Sequence, residues 1–415
     1  MNIVLKNATI IEKNNLFNNQ KVDLEITDGI LSNIGPNIAV KDGYTCIEKE
    51  NLHVSTGWVD TQVVFGEPGF ETTETIANGL QVAAKSGFTD VFVHSNTNPA
   101  IDNQAVIHLI QNKALGQTAQ LHLIGALTKN AEGTDLAELF DMKNAGAIAF
   151  GDYKKSITNA NLLKIALQYT HDFNGLLFVF PMNKDIKGKG FVNEGIVSTK
   201  LGMKGIPALA ETIELSRNIA LLIYTGGKMH VPTLSCAESV TLIKEAKAKG
   251  LNITCGVAIN NLVLNDNEIT DFNTNTKLYP PLRSEQDRLA LIEGVKDGTI
   301  DVITSDHCPV NIENKRIEYD LAAYGSIGLE SIFGALNQIL PLEICIEKLT
   351  NGHQFLTEKS EIAIGKKAKL TLFNPDVNWT FESKNIMSFS KNAIMLDKKM
   401  KGEVYGIINT NSIQI

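Results

Sequence analysis

The sequence has few cysteines, no long apolar run and no excess of positive charge, and each of these absences excludes a class of protein. Only five of the 415 residues are cysteines. They are widely spaced and form no Cys-x-x-Cys pair, so the sequence predicts neither a disulfide framework nor a zinc ribbon. The formal net charge of -8 comes from charges that are mixed along the chain. We therefore expect no nucleic-acid partner and no electrostatic anchoring to a membrane.

The sequence also lacks the features of an export signal or of a membrane span. Residues 1–7 do not combine a positively charged segment with a long apolar one, which is the pattern of a secretory signal peptide. No stretch approaches the roughly 20 apolar residues that cross a bilayer as a helix. These absences predict a cytoplasmic protein.

Strand-like and helix-like segments alternate through the middle of the chain. With 43% hydrophobic residues over this length, the chain can bury one large core and a smaller one. Such an alternation predicts an α/β fold, and eight strands predict a (β/α)8 TIM barrel with its chemistry at the C-terminal strand ends. The predicted strands are 59–65, 89–94, 121–125, 147–150, 176–180, 228–233, 252–257 and 301–304. The predicted helices include 75–86, 161–169, 206–222, 236–249 and 284–297.

The two ends of the chain have a different pattern. Short apolar alternations bounded by Asp-Gly and Gly-Pro pairs occur near the N-terminus, and similar alternations return after residue 362. Such turn pairs between alternating segments are typical of hairpins. We expect both ends to join in one small β-sandwich domain, formed by residues 1–56 and 360–415. The barrel domain is then predicted to span residues 57–359.

Residues 57–69, Gly-Trp-Val-Asp-Thr-Gln-Val-Val-Phe-Gly-Glu-Pro-Gly, resemble the first barrel strand of the metal-dependent amidohydrolases. Their Phe-x-Glu-Pro-Gly ending is similar to the dihydroorotase branch, of the type related to the multifunctional and aspartate-transcarbamoylase-associated enzymes. The resemblance implies an amidohydrolase-type TIM barrel inserted into a β-sandwich. It also implies a His-x-His pair that binds zinc, followed by an Arg that binds the substrate carboxylate. This sequence has Gln62, Val64 and Gly66 at those positions.

Two later segments extend the resemblance to residues that bind substrate in the family. Residues 96–102 resemble a Met-Pro-Asn-Thr segment, which makes Asn96 the counterpart of an Asn that binds substrate. Residues 277–283, Lys-Leu-Tyr-Pro-Pro-Leu-Arg, are similar to the family's Lys-Val-Asn-Pro-Pro-Leu-Arg, but Tyr279 replaces the substrate-binding Asn. The resemblance therefore runs along nearly the whole chain, while part of the implied substrate site is changed.

The resemblance also identifies six metal-ligand positions, of which two keep a suitable side chain. Asp152 follows the fourth strand, and Asp306 lies in Thr-Ser-Asp-His-Cys-Pro-Val, where the family has a ligand that also accepts a proton. The other four positions are Gln62, Val64, Pro181 and Thr233. Two carboxylates without an imidazole do not supply the ligands of a catalytic zinc. We therefore predict no metal and no cofactor, with Asp306 and Asn96 as vestiges of the catalytic and substrate-binding sites.

Three hypotheses for the function stay open. The first is a catalytically inactive dihydroorotase homologue of pyrimidine biosynthesis that acts as a non-catalytic subunit or scaffold, because without a zinc-activated water an unactivated amide meets no nucleophile at neutral pH. For this case the resemblance implies aspartate transcarbamoylase as a partner, and a homo-oligomer. The second is a divergent cyclic amidohydrolase, acting on a cyclic amide such as dihydroorotate, with a site rebuilt from Asp152, Asp306 and His94 or His230. The third is a small-molecule binding or regulatory protein that uses the cavity corresponding to the family's active site.

Overall fold

A computed structural model describes residues 1–358 and 360–415 and places the chain in two large sheets and one small one. The strands are β1 (Ile3–Ile10), β2 (Lys21–Thr27), β3 (Ile30–Gly35), β4 (Thr45–Ile47), β5 (His53–Thr56), β6 (Trp58–Val63), β7 (Phe88–Val93), β8 (Gln120–Gly125), β9 (Ala149–Phe150), β10 (Leu177–Phe178), β11 (Val192–Asn193), β12 (Gly205–Ile206), β13 (Met229–Leu234), β14 (Ile253–Ala258), β15 (Val302–Thr304), β16 (Lys369–Thr380), β17 (Lys399–Asn409) and β18 (Ser412–Gln414).

The helices lie mainly between the strands of the central part of the chain. They are α1 (Ile76–Lys85), α2 (Gln104–Lys113), α3 (Leu139–Asn144), α4 (Ala160–His171), α5 (Lys184–Lys187), α6 (Ile196–Leu201), α7 (Leu209–Thr225), α8 (Ala237–Ala248), α9 (Ile259–Val263), α10 (Glu285–Lys296), α11 (Ile332–Leu336) and α12 (Leu342–Thr350). Within the described residues, none of these helices has both the length and the apolar character needed to traverse a bilayer.

The central sheet is a closed parallel barrel. Its strand order is β6-β7-β8-β9-β10-β13-β14-β15, with parallel pairing throughout. The first and last strands meet where the Val64 N–H donates to the His307 carbonyl at 3.0 Å. All eight predicted barrel strands are confirmed. The two-residue strands β9 and β10 are shorter than predicted, although Ile148 and Val179 beside them still donate to neighbouring strands at 3.0 and 2.9 Å.

The predicted helices are also confirmed, with one shifted by three residues. Helix α7 begins at Leu209 rather than at residue 206. Ile206 lies instead in β12, because Pro207 biases the residue before it towards an extended backbone. The helix ends at Thr225, and the next residue, Gly226, has a φ of 70° in the left-handed region that suits a helix C-terminus.

Strands from both ends of the chain form the second large sheet, as the sequence predicts. Its order is β18-β17-β16-β5-β1-β2-β3, with β4 paired to β1, so it is one continuous mixed sheet. The N-terminal and C-terminal parts join where β5 runs antiparallel to β16, with Val54 opposite Leu372. Buried aliphatic side chains of both parts make up its core. The exact domain boundaries stay a prediction, and residue 359 lies outside the described residues.

Trp58 lies where the barrel meets the terminal sheet. It is the first residue of β6 and is fully buried. Its ring centroid is 4.9 Å from that of Phe333, 5.6 Å from that of Phe373 and 6.0 Å from that of Phe88. Its indole N–H donates to the Ser55 hydroxyl at 3.0 Å. The strand that leads to the barrel mouth is therefore fixed at its base by contacts to both sheets.

Replacing Trp58 by alanine should lower the free energy of unfolding by about 3–5 kcal/mol, because the substitution leaves a cavity at the junction. Urea unfolding followed by far-ultraviolet circular dichroism measures the change. Trp379→Ala is the matched control, since Trp379 is only partly buried, and it should cost less. Equal losses in the two variants would contradict this assignment of Trp58.

Candidate functional site

A cavity of about 680 Å³ opens at the C-terminal ends of the barrel strands. This is the face at which TIM barrels carry their sites. The residues around it follow β7, β8, β9, β10, β14 and β15, and include Asn96, Asp152, Tyr153, Lys154, Tyr279, Cys308 and Tyr324. Of the residues that the sequence analysis selected, Asn96, Asp152 and Tyr279 line this cavity, whereas its lining does not include Gln62, Val64, Gly66, Pro181, Thr233 or Asp306.

Asp306 has both carboxylate oxygens engaged by other side chains. It follows β15 with a left-handed φ of 50°. Its Oδ1 accepts a hydrogen bond from Gln62 Nε2 at 2.7 Å, and its Oδ2 accepts one from Lys154 Nζ at 2.7 Å. The side chains of Lys154 and Asp306 are only 10% and 6% exposed. An ammonium group and an amide thus hold the carboxylate at which the family would bind a metal, and the buried charges are paired.

Asp60 supports this arrangement from below. Its carboxylate accepts hydrogen bonds from the backbone N–H groups of Gln62 at 3.0 Å and Ser305 at 2.9 Å, and from the Thr304 hydroxyl. Burial raises the pKa of Asp60 to about 6, against the lowering effect of these hydrogen bonds. The carboxylate therefore ties the ends of β6 and β15 together, directly beneath the contact between Gln62 and Asp306.

Asp152, the second predicted carboxylate, has a separate set of partners. Its Oδ1 accepts from the backbone N–H groups of Leu127 at 2.9 Å and Thr128 at 3.1 Å, and its Oδ2 accepts from the Thr128 hydroxyl. Burial raises the pKa of Asp152, and these hydrogen bonds oppose the change. The side chain thus fixes the loop after β8 to the end of β9.

The next residue, Tyr153, packs beside Val64, a position at which the resemblance implies a metal ligand. It packs with Val64, Cys308 and Val310 in one apolar cluster, and its ring centroid is 5.4 Å from that of His94. Burial raises the pKa of the Tyr153 hydroxyl well above its usual range. The sequence analysis did not select Tyr153 or the following residue, Lys154, as site residues. It missed that one of them packs across the mouth and the other pairs with Asp306.

The histidines of the barrel interior are buried and neutral. Burial lowers the pKa of His94 and of His230 to about 3, and that of His307 to about 4. His94 and His230 both pack against the Phe178 ring, with centroid distances of 5.6 and 4.5 Å. His230 Nδ1 also lies 2.8 Å from the Thr254 hydroxyl oxygen. These contacts give the rings a packing role inside the barrel.

The residues at the mouth do not fit the zinc that the fold family implies. Of its six ligand positions, Val64 and Pro181 offer no donor atom, and both oxygens of Asp306 are already engaged. Across residues 1–358 and 360–415, no group of three His, Cys, Asp or Glu side chains is placed to hold a metal ion. A catalytic zinc needs three protein ligands and an open position.

Asn96 lies at the rim of the cavity and is exposed. Its predicted contact with a substrate stays a prediction. Tyr279, which replaces another substrate-binding Asn of the family, lies deeper in the same cavity, and its ring centroid is 5.2 Å from that of Tyr324 and 5.0 Å from that of Phe180. The rings of Tyr279, Tyr324 and Phe180, here called the aromatic wall, therefore occupy the place at which the resemblance implies an amide side chain.

Comparison with solved structures identifies the fold. The L-hydantoinase (dihydropyrimidinase) from Arthrobacter aurescens aligns with a TM-score of 0.87 and 19% identity, covering 99% of this chain and 95% of that one. The dihydropyrimidinase from Brevibacillus agri NCHU1002 aligns with a TM-score of 0.83 and 20% identity, covering 100% and 95%. The fold is that of an amidohydrolase TIM barrel.

Comparison of sequences then assigns the family. Residues 53–239 match the family described as Dihydro-orotase-like. The dihydroorotase of Thermoanaerobacter sp. (strain X514) is 37% identical over 412 residues, which cover 97% of this chain and 95% of that protein. The dihydroorotase of Pelotomaculum thermopropionicum is 37% identical over 410 residues, covering 97% and 96%. The chain belongs to the dihydroorotase family.

Replacing Lys154 by methionine should lower the free energy of unfolding by about 3–5 kcal/mol, because it leaves the Asp306 carboxylate buried without a cation. Lys155→Met is the control, since the Lys155 ammonium donates to the Ala131 carbonyl rather than to a carboxylate. Urea unfolding of both variants, and of Asp306→Asn with and without Lys154→Met, measures the coupling between the two side chains. Additive effects of Lys154→Met and Asp306→Asn would contradict the ion pair.

Replacing His230 by phenylalanine should make stability less sensitive to acid. In the wild type the unfolded chain binds a proton at His230 below pH 6.5, whereas the folded protein does so only near pH 3. Between these values the wild type should lose about 1.4 kcal/mol per pH unit more than the variant. Denaturant unfolding from pH 7 to pH 4 tests the difference. His108→Phe, at an exposed position, should keep the wild-type slope.

Proposed function

We propose that this chain is a non-catalytic member of the dihydroorotase family and serves pyrimidine biosynthesis as a subunit or scaffold. The observation that carries the proposal is the pairing of Asp306 with Lys154 and Gln62. In the family this carboxylate binds metal and accepts a proton, whereas here both of its oxygens are committed to other side chains.

The chemistry of amide hydrolysis supports the same proposal. An unactivated amide needs a strong nucleophile, which a bound zinc supplies by lowering the pKa of water. Four of the six ligand positions carry Gln62, Val64, Pro181 and Thr233, and the counterpart of the substrate-binding Arg is Gly66. The chain therefore lacks both the ligands for a zinc-activated water and the Arg that would bind the substrate carboxylate.

A divergent cyclic amidohydrolase with a rebuilt site has less support. Such a site would need His94 or His230 together with Asp152 and Asp306. His94 and His230 pack on the ring of Phe178, and the two carboxylates bind different partners. The buried histidines therefore act as packing residues in the barrel interior.

Metal analysis and an activity assay on the same preparation test the lack of catalysis. The full chain, produced in zinc-supplemented medium without a metal-binding tag, should contain far less than one equivalent of zinc and should neither hydrolyse nor form dihydroorotate above the buffer rate. The Thermoanaerobacter relative, prepared in parallel, is the positive control for both measurements. One equivalent of zinc together with turnover would refute the proposal.

The proposed partner is aspartate transcarbamoylase, and the proposed assembly includes more than one copy of this chain. Family resemblance supports both. Sedimentation velocity of the full chain, alone and mixed with the aspartate transcarbamoylase of the same organism at micromolar concentrations, should show a homo-oligomer and a faster-sedimenting complex. Independent sedimentation of the two proteins would contradict the scaffold role without bearing on catalysis.

A further inference from the structure

The cavity at the barrel mouth is lined by more ammonium groups than carboxylates. Four lysines line it, and the acidic side chains there are Glu132 and Asp152. Among the described residues that line the cavity, none is an arginine. The lysines come from two segments, the residues after β9 and the short helix α5, and are Lys154, Lys155, Lys184 and Lys187.

Lys187 is the lysine of this set that faces aromatic rings instead of a carboxylate. Its Nζ lies 5.6 Å from the ring centroid of Tyr279 and 5.9 Å from that of Tyr324. Burial lowers the pKa of Lys187. By contrast, Lys154 pairs with Asp306. The Lys187 ammonium is thus partly removed from water without an anion to offset its charge.

Two further lysines add positive charge behind this wall. Lys277 Nζ lies 4.9 Å from the ring centroid of Tyr324 and donates to the Asp320 carbonyl at 2.9 Å. Burial lowers its pKa; the charge of Asp320 opposes this change, and the charge of Lys187 adds to it. Burial likewise lowers the pKa of Lys315 to about 8, with smaller contributions from Lys277 and Lys154. Repulsion among these ammonium groups disfavours their charged forms, and an anion in the cavity would relieve it.

We propose that this cavity binds a phosphorylated small molecule, with its phosphate group at Lys187 and Lys184 beside Tyr279 and Tyr324. Lysine ammonium groups commonly bind phosphate, which they attract as point charges. The cavity volume of about 680 Å³ is within the range of small-molecule sites. The inference goes beyond the proposed function, because it holds whether or not the chain has a catalytic partner or activity.

Calorimetric titration of the full chain with inorganic pyrophosphate, at a fixed ionic strength set with sodium chloride, tests the proposal. We expect saturable binding that weakens as chloride increases, because exposed charges are screened by salt. Lys187→Met should weaken binding by on the order of tenfold, the effect of losing one charge-assisted contact. Lys189→Met is the matched control: Lys189 is exposed, two residues away, and outside the cavity lining.

Circular dichroism checks that each variant is folded. Lys184→Met provides a second substitution, at an exposed residue of the cavity lining. Retained binding in Lys189→Met with weakened binding in Lys187→Met and Lys184→Met supports the site. Equal weakening in Lys187→Met and Lys189→Met would overturn it, as would the absence of saturable binding. Displacement of pyrophosphate by lower concentrations of dihydroorotate would overturn the phosphate assignment. None of these outcomes depends on zinc content or turnover.

Discussion

The ion pair between Lys154 and Asp306 is the contact on which the arrangement of the barrel mouth depends. It joins the end of β9 to the end of β15, and Gln62 adds the end of β6 to the same carboxylate. A metal ion in a barrel of this kind links strand ends by accepting ligands from several of them. Here an ammonium and an amide make equivalent links with side chains alone. Burying a carboxylate without such partners costs free energy. Lys154 and Gln62 therefore stabilise the folded state by pairing with Asp306.

The other replacements at the mouth complement one another as a packed cluster. Val64 occupies a position at which the resemblance implies a metal ligand, and it packs with Val310, Tyr153 and Cys308. If only one ligand were replaced by an apolar residue, the remaining charged ligands would be buried without partners. Several apolar residues in contact bury one another instead, which stabilises the mouth through the hydrophobic effect. These apolar side chains therefore fill this part of the barrel mouth as one packed cluster.

The barrel could be predicted because its strands are short, buried and separated by helical patterns, and because residues 57–69 and 277–283 keep recognisable family sequences. The start of α7 could have been placed more accurately by giving weight to Pro207. The reach of Lys154 to Asp306 could not be predicted from local pattern, because the two residues are far apart in sequence and Lys154 has a long flexible side chain. Both also adopt a left-handed φ, 51° at Lys154 and 50° at Asp306, which helical or strand periodicity does not indicate.

The pairing of β5 with β16 has a consequence for the order in which the molecule is completed. Thr56 lies opposite Leu370, and His53 lies opposite Phe373. One edge of β5 can therefore pair with β16 only after the entire barrel sequence has been translated. Until then the backbone donors and acceptors along that edge of β5 are open to other chains, a situation that favours aggregation. The nascent polypeptide is therefore prone to aggregation until β16 has been synthesised and has paired with β5.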